Sequence, residues 1–160
     1  MGTTTNLGIP YPENNDFVAD GATNMKDIAD AVDAYGGAWT TFTPQLWQNV
    51  NVNSTVNYAK YRKIGKTVFV VMQITATGAG GGGDVQIRNL PFTAANTAGL
   101  VGVGGYLDAG TANYNLTAFG LTTTSVGMFG WNQGSAFGTA PAVTIANNDI
   151  IRLSLVYEVA

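Results

Sequence analysis

Four of the seven basic residues of this 160-residue chain, Lys60, Arg62, Lys63 and Lys66, stand close together in one stretch. Such a cluster can hold a phosphate, an anionic cell-wall polymer or an acidic neighbour, although a solvated hairpin tip is its commoner use. A second group, Tyr106, Asp108, Asn113, Tyr114, Trp131 and Asn132, gathers near expected strand ends. Aromatic rings beside Asn and Asp can take a sugar by stacking and hydrogen bonding. Tyr106, Tyr114 and Trp131 are therefore glycan-binding candidates, against the greater tendency of aromatics in a β-sandwich to be core. Asp27, Asp30 and Asp33 follow one another at three-residue steps, but on an expected helix with no recognisable pocket, which reads as a solvated face. The chain has no histidine and no cysteine. That removes disulfides, thiolates and the commonest general base and metal ligand. Acids are too few beyond residue 37 to assemble a glycosidase carboxylate pair, and a Ser-His-Asp set has no histidine. The expectation is no enzyme, no cofactor and no metal. The run Gly78–Gly83 lacks the Lys-Ser/Thr ending of a phosphate loop and leads into a strand, so it reads as a flexible loop. Asn53 and Asn115 match the glycosylation pattern, which carries little without a secretory signal.

The elements that must position these residues are strands. In Tyr58–Thr77, Val68, Val70, Met72 and Ile74 share one parity and point to one face. Phe69 and Val71 lie on the other, so the second face is expected to be at least half covered, as in an inner strand of a sandwich. The turn at 63–66 contains Gly65, as a tight reversal requires. Near the C-terminus, Ile151, Leu153, Leu155, Tyr157 and Val159 alternate against Arg152, Ser154 and Glu158. Strands are expected near 39–47, 50–61, 66–77, 84–89, 99–107, 114–122, 125–132, 142–146 and 150–159, with Pro91 ending the fourth. Eight or nine short strands with polar turns predict a mainly β fold, a jelly-roll-like antiparallel β-sandwich with a short N-terminal helix and an extended arm.

Charge divides the chain. Residues 1–37 hold six acids and one base; residues 38–160 hold four acids and six bases. Neither part is basic enough to imply nucleic-acid binding, no apolar run approaches a membrane span, and the N-terminus does not read as a signal peptide. Residues 1–37 form one expected unit and 38–160 the other. Pro10 and Pro12 predict an extended arm with too little apolar content to fold alone, in which Ile9, Tyr11 and Phe17 are candidate anchors to a partner. Asp20 is the expected N-cap of a helix that Gly36 and Gly37 stop. Met25, Ile28, Val32 and Tyr35 form its apolar stripe. So short a helix must pack its stripe on something, either its own β-domain or copies of itself around an axis.

Three pieces, Trp39–Trp47, Tyr58–Val71 and Tyr157–Ala160, together with the Pro-rich arm and acidic helix, resemble minor tail and fibre-like proteins of bacteriophages infecting actinobacteria. The resemblance covers most of the chain but not Gly99–Ala146, and its motifs are structural. It implies a non-enzymatic virion protein, made in the host cytoplasm, that forms homotrimers. The arm would join it to other virion proteins, and the β-domain would serve tail-tip structure or host attachment, with a cell-surface glycan as a possible receptor. The alternatives are a capsid decoration or head-fibre protein, and a free carbohydrate-binding module. The arm and capped helix speak against the last, since a free module has no use for them.

Overall fold

The computed structural model describes residues 2–3, 9–11, 13, 21–130 and 134–160, with the backbone alone at residues 10 and 33–36. The chain divides into two compact units. The smaller comprises residues 1–38 with the hairpin tip Lys63–Gly65; the larger comprises Trp39–Arg62 and Lys66–Ala160. No helix among the described residues is long and apolar enough to cross a membrane, which says nothing of membrane β-barrels.

In the smaller unit, Gly2–Thr3 (β1) pairs antiparallel with Pro10–Tyr11 (β2), placing Gly2 opposite Tyr11. The helix Gly21–Gly36 (α1) follows. It ends where expected, with Gly37 at a φ of 27°. The expected cap, Asp20, lies outside the described residues.

The larger unit is mainly antiparallel β-structure. Its strands are Thr40–Thr41 (β3), Gln45–Gln48 (β4), Val50–Asn51 (β5), Ser54–Ile64 (β6, whose end belongs to the tip), Thr67–Ala76 (β7), Gln86–Arg88 (β8), Val101–Asp108 (β9), Ala112–Thr122 (β10), Ser125–Gly130 (β11) and Ile150–Glu158 (β12). They form one sheet in the order β3-β6-β7-β12-β9-β10-β11-β8-β4-β5. β3 is one edge of this order and β4 lies beside the other, yet only residues 42–44 separate them in the chain. Three residues reach little more than about 10 Å, so the sheet must curl until its edges approach. The result is the sandwich-like β-architecture expected from the strand pattern, built as one continuous hydrogen-bonded sheet around a single core.

Strand alternation decides what that core contains. Val68, Val70, Met72, Ile74 and Ala76 of β7 are buried, and so are Ile151, Leu153, Leu155 and Tyr157 of β12. The two strands pair with Leu155 opposite Val70 and Leu153 opposite Met72. On the other side of β12, Leu155 faces Gly102 and Leu153 faces Gly104. A Cβ at Gly102 or Gly104 would collide with these leucine side chains and with the β12 backbone. The glycines therefore open the space that the leucines fill, as close packing demands.

Three expectations need correction. The stretch 39–47 is not one strand: β3 and β4 are separated around Pro44, which has no N–H to give a ladder, while the Phe42 N–H donates to the Ala59 carbonyl at 3.2 Å. The stretch 142–146 is not a strand, although Val143 and Ile145 alternate into the core, because their backbone groups bond to a side chain instead of a neighbouring strand. The stretch 50–61 is not one strand either: β5 and β6 are separated by residues 52 and 53 and stand far apart in the strand order, whereas the second face of β7 is more than half covered, as expected.

Candidate functional site

Two of the three aromatic residues expected to face a sugar, Tyr106 and Tyr114, face the core. Tyr106 lies on the inward parity of β9, opposite Ile151 on one side and Tyr114 on the other. It is 1% exposed. Its ring centroid is 4.9 Å from that of Phe137 and 6.2 Å from that of Tyr114, and Tyr114 sits 5.2 Å from Phe137. Tyr114 is half-buried against the same cluster. A ring enclosed by other rings offers no face for stacking, so Tyr106 is removed from the glycan-binding set. Trp131 and Asn132 lie outside the described residues.

The same tyrosine ends on a buried carboxylate. Its hydroxyl donates to Asp149 Oδ2. The Ala146 N–H donates to Oδ2 at 2.7 Å and the Ala109 N–H to Oδ1 at 2.9 Å. Asp149 thus ties the β9–β10 turn to the turn before β12, and its carbonyl accepts the Ala76 N–H at 2.8 Å. Burial, and then the hydrogen bond to Asp149, push the Tyr106 hydroxyl far above the ordinary tyrosine range. Burial also pushes Tyr157 up to about 12; its hydroxyl donates to the Phe92 carbonyl at 3.2 Å.

A second buried node is built on Gln48 of β4, which has no exposed surface. Its Nε2 donates to the carbonyls of Gly83 at 2.8 Å and Val143 at 2.7 Å, and its Oε1 accepts the Ile145 N–H at 2.8 Å. The glycine run expected to be a flexible loop is docked on this node. The Gly80 N–H donates to the Ile145 carbonyl at 2.8 Å and the Gly81 N–H to the Gln48 carbonyl at 2.7 Å. A Cβ at Gly80 would collide with Gln48 Oε1. The run is glycine because backbone approaches a buried amide there, not to bind phosphate.

The basic residues run along β6 and round the turn that follows it. Lys60 and Arg62 are half-buried on β6, and Lys60 Nζ lies 5.2 Å from the centroid of the Tyr58 ring. Arg62 Nε is shielded from water without a hydrogen-bond partner among the described residues. Lys66 is exposed, in the turn that leads into β7, and Lys63 is exposed in the tip that groups with the smaller unit.

In the smaller unit, the helix covers a stripe turned about one residue from the expected one. Gly21, Asn24, Ile28 and Ala31 are the covered positions, whereas Met25 is 73% exposed and Val32 53%. Lys26 pairs with Asp30 one turn on, both on the exposed side. Tyr11 is exposed while its ring lies over Gly2, and Ile9 is half-buried. Phe17 and the Tyr35 side chain lie outside the described set.

The surface that sequence reading missed is the outward face of the larger sheet. The register sets Phe69, Val156, Val101 and Phe119 side by side across four strands. The next row is Val71, Ser154, Val103, Thr117 and Phe129. Val103 is 64% exposed, Val101 57% and Val156 41%. The Phe119 and Phe129 rings stack at 4.3 Å between centroids. An open groove of about 420 Å³, bordered by Tyr58, Gln73, Val103 and Arg152, runs beside these rows. The signal lay in Val101-Gly102-Val103-Gly104, where the valines take the parity opposite to buried Tyr106.

No family model, no curated protein and no solved structure matches this chain.

Proposed function

We propose that the chain is a non-enzymatic bacteriophage virion protein of the minor tail or tail-fibre class, a homotrimer held to the particle by its N-terminal arm and helix. The reading draws on the resemblance of Trp39–Trp47, Tyr58–Val71 and Tyr157–Ala160 to that class. The observation that supports it best is the bare helix stripe: Met25 and Val32 are exposed on a 16-residue helix that its own unit covers only on the side of Asn24 and Ile28. Apolar positions left in water on so short a helix are accounted for by neighbouring copies or by the particle. The buried polar groups Asp149 and Gln48 are committed to holding turns, which fits a structural role better than a catalytic one.

The test is co-purification. Peptides of this chain should band with phage particles through a density gradient, and deletion of residues 1–20 should abolish incorporation while the β-unit stays folded. Particles that lack the chain overturn the virion role, and normal incorporation of the truncated chain overturns the attachment role of the arm.

A further inference from the structure

We propose that the outward face of β7, β12, β9, β10 and β11 is a two-fold contact with a second copy of this chain. The inference rests on the reading above only in taking copies of the chain as partners; it adds a contact separate from the helix stripe.

The residues at its centre are Phe69, Val101, Val103, Phe119, Phe129 and Val156, with only Val71, Ser154, Thr117 and Gly127 completing their two rows. None of these side chains is charged, and exposed apolar rows of this kind mark interaction surfaces. Adjacent strands stand about 4.8 Å apart and outward residues recur about every 6.8 Å along a strand, so the two rows cover about 300 Å². Taken with the rows of Thr67–Glu158 and Gln73–Arg152 on either side, the face reaches about 600 Å², the low end of what one partner contributes to a stable protein–protein interface.

Charge selects the occupant and its orientation. Along β12 the outward residues run Ile150, Arg152, Ser154, Val156, Glu158, and both charged side chains are exposed. The apolar rows therefore lie between a base on one side and an acid on the other. A copy laid on this face with its strands reversed brings Ser154 over the second copy's Val156. It also brings Arg152 over the second copy's Glu158, at both ends of the contact. This is the reciprocal pattern of a two-fold interface, in which the same patch serves both partners. A copy laid with strands in the same sense would set Arg152 against Arg152. The basic residues Lys60 and Arg62 lie on β6, beyond the strands that make the contact. Two such faces stack as sheets do, about 10 Å apart.

The experiment is light scattering on the full chain at micromolar concentration, with thermal unfolding as the control for folding. The wild-type mass should be six times 16.7 kDa, two trimers joined through this face, and Val103→Glu should halve it to a trimer without changing the unfolding of the β-unit. Arg152→Glu alone and Glu158→Arg alone should each weaken association at least tenfold, and the two together should restore it. A trimer that Val103→Glu leaves a trimer overturns this contact and leaves the homotrimer reading standing. A dimer that Val103→Glu converts to monomer supports the contact and overturns the homotrimer. Failure of the charge exchange to restore association overturns the two-fold arrangement.

Discussion

Gln48→Ala should be among the most damaging single changes in the β-unit. The side chain is fully buried and serves three backbone groups: the carbonyls of Gly83 and Val143 and the N–H of Ile145. Each buried backbone group left without a partner costs about 1–3 kcal/mol. Some rearrangement of the glycine run lets water reach one of them, which places the total at about 4 kcal/mol, a large share of the roughly 5–15 kcal/mol that stabilises a domain. For a chain of this length that loss lowers the melting temperature by roughly 8–16 °C. Gln48→Glu sharpens the test. It keeps the shape and the acceptor for Ile145, but turns an oxygen towards the two carbonyls that Nε2 now serves. Its deficit at neutral pH should match that of Gln48→Ala and shrink in acid, where a protonated carboxyl regains a donor. Thermal unfolding by circular dichroism reads both variants. A Gln48→Ala protein that melts within about 1 kcal/mol of the parent would refute the claim that this amide holds residues 80–83 and 143–145 together.

Leu155→Ala should cost about 2–5 kcal/mol, since the leucine is buried against Val70 and fills the space over Gly102, whereas exposed Lys66→Ala should change unfolding by no more than about 0.5 kcal/mol. Gly104→Ala should destabilise strongly in the same assay, because the added Cβ meets the Arg152 carbonyl and the Leu153 side chain. Stability should fall in alkali: the folded Tyr106 and Tyr157 hydroxyls titrate above the unfolded value near 10, so their contribution is intact below pH 10 and is lost as pH rises through about 12 and beyond. Tyr157→Phe should flatten that fall between pH 10 and 12 in a pH series of denaturant melts.

What could be read from the sequence was what local alternation carries. Val68 to Ile74 and Ile151 to Tyr157 each repeat every second residue, and both sets are core. Val143 and Ile145 repeat in the same way, yet no strand forms there, because the partner is a side chain far away in the chain, at Gln48. The same remote amide explains the glycine run, whose composition alone cannot be told from that of a linker. Tyr106 and Tyr114 lie towards strand ends, where a sugar site is a reasonable expectation; only the pairing register turns them inward. Helical period left a one-residue rotation open between Asn24 and Met25, and between Ala31 and Val32. The outward valines of β9 were illegible for a related reason, since an apolar residue between glycines reads as core until its neighbours across the sheet are known.

Electron microscopy of purified particles labelled with an antibody raised against residues 38–160 tests whether this chain is a structural part of a phage tail. Label is expected at the tail, in the three-fold pattern of a trimer. Label distributed over the capsid, or particles that carry none, would contradict that role.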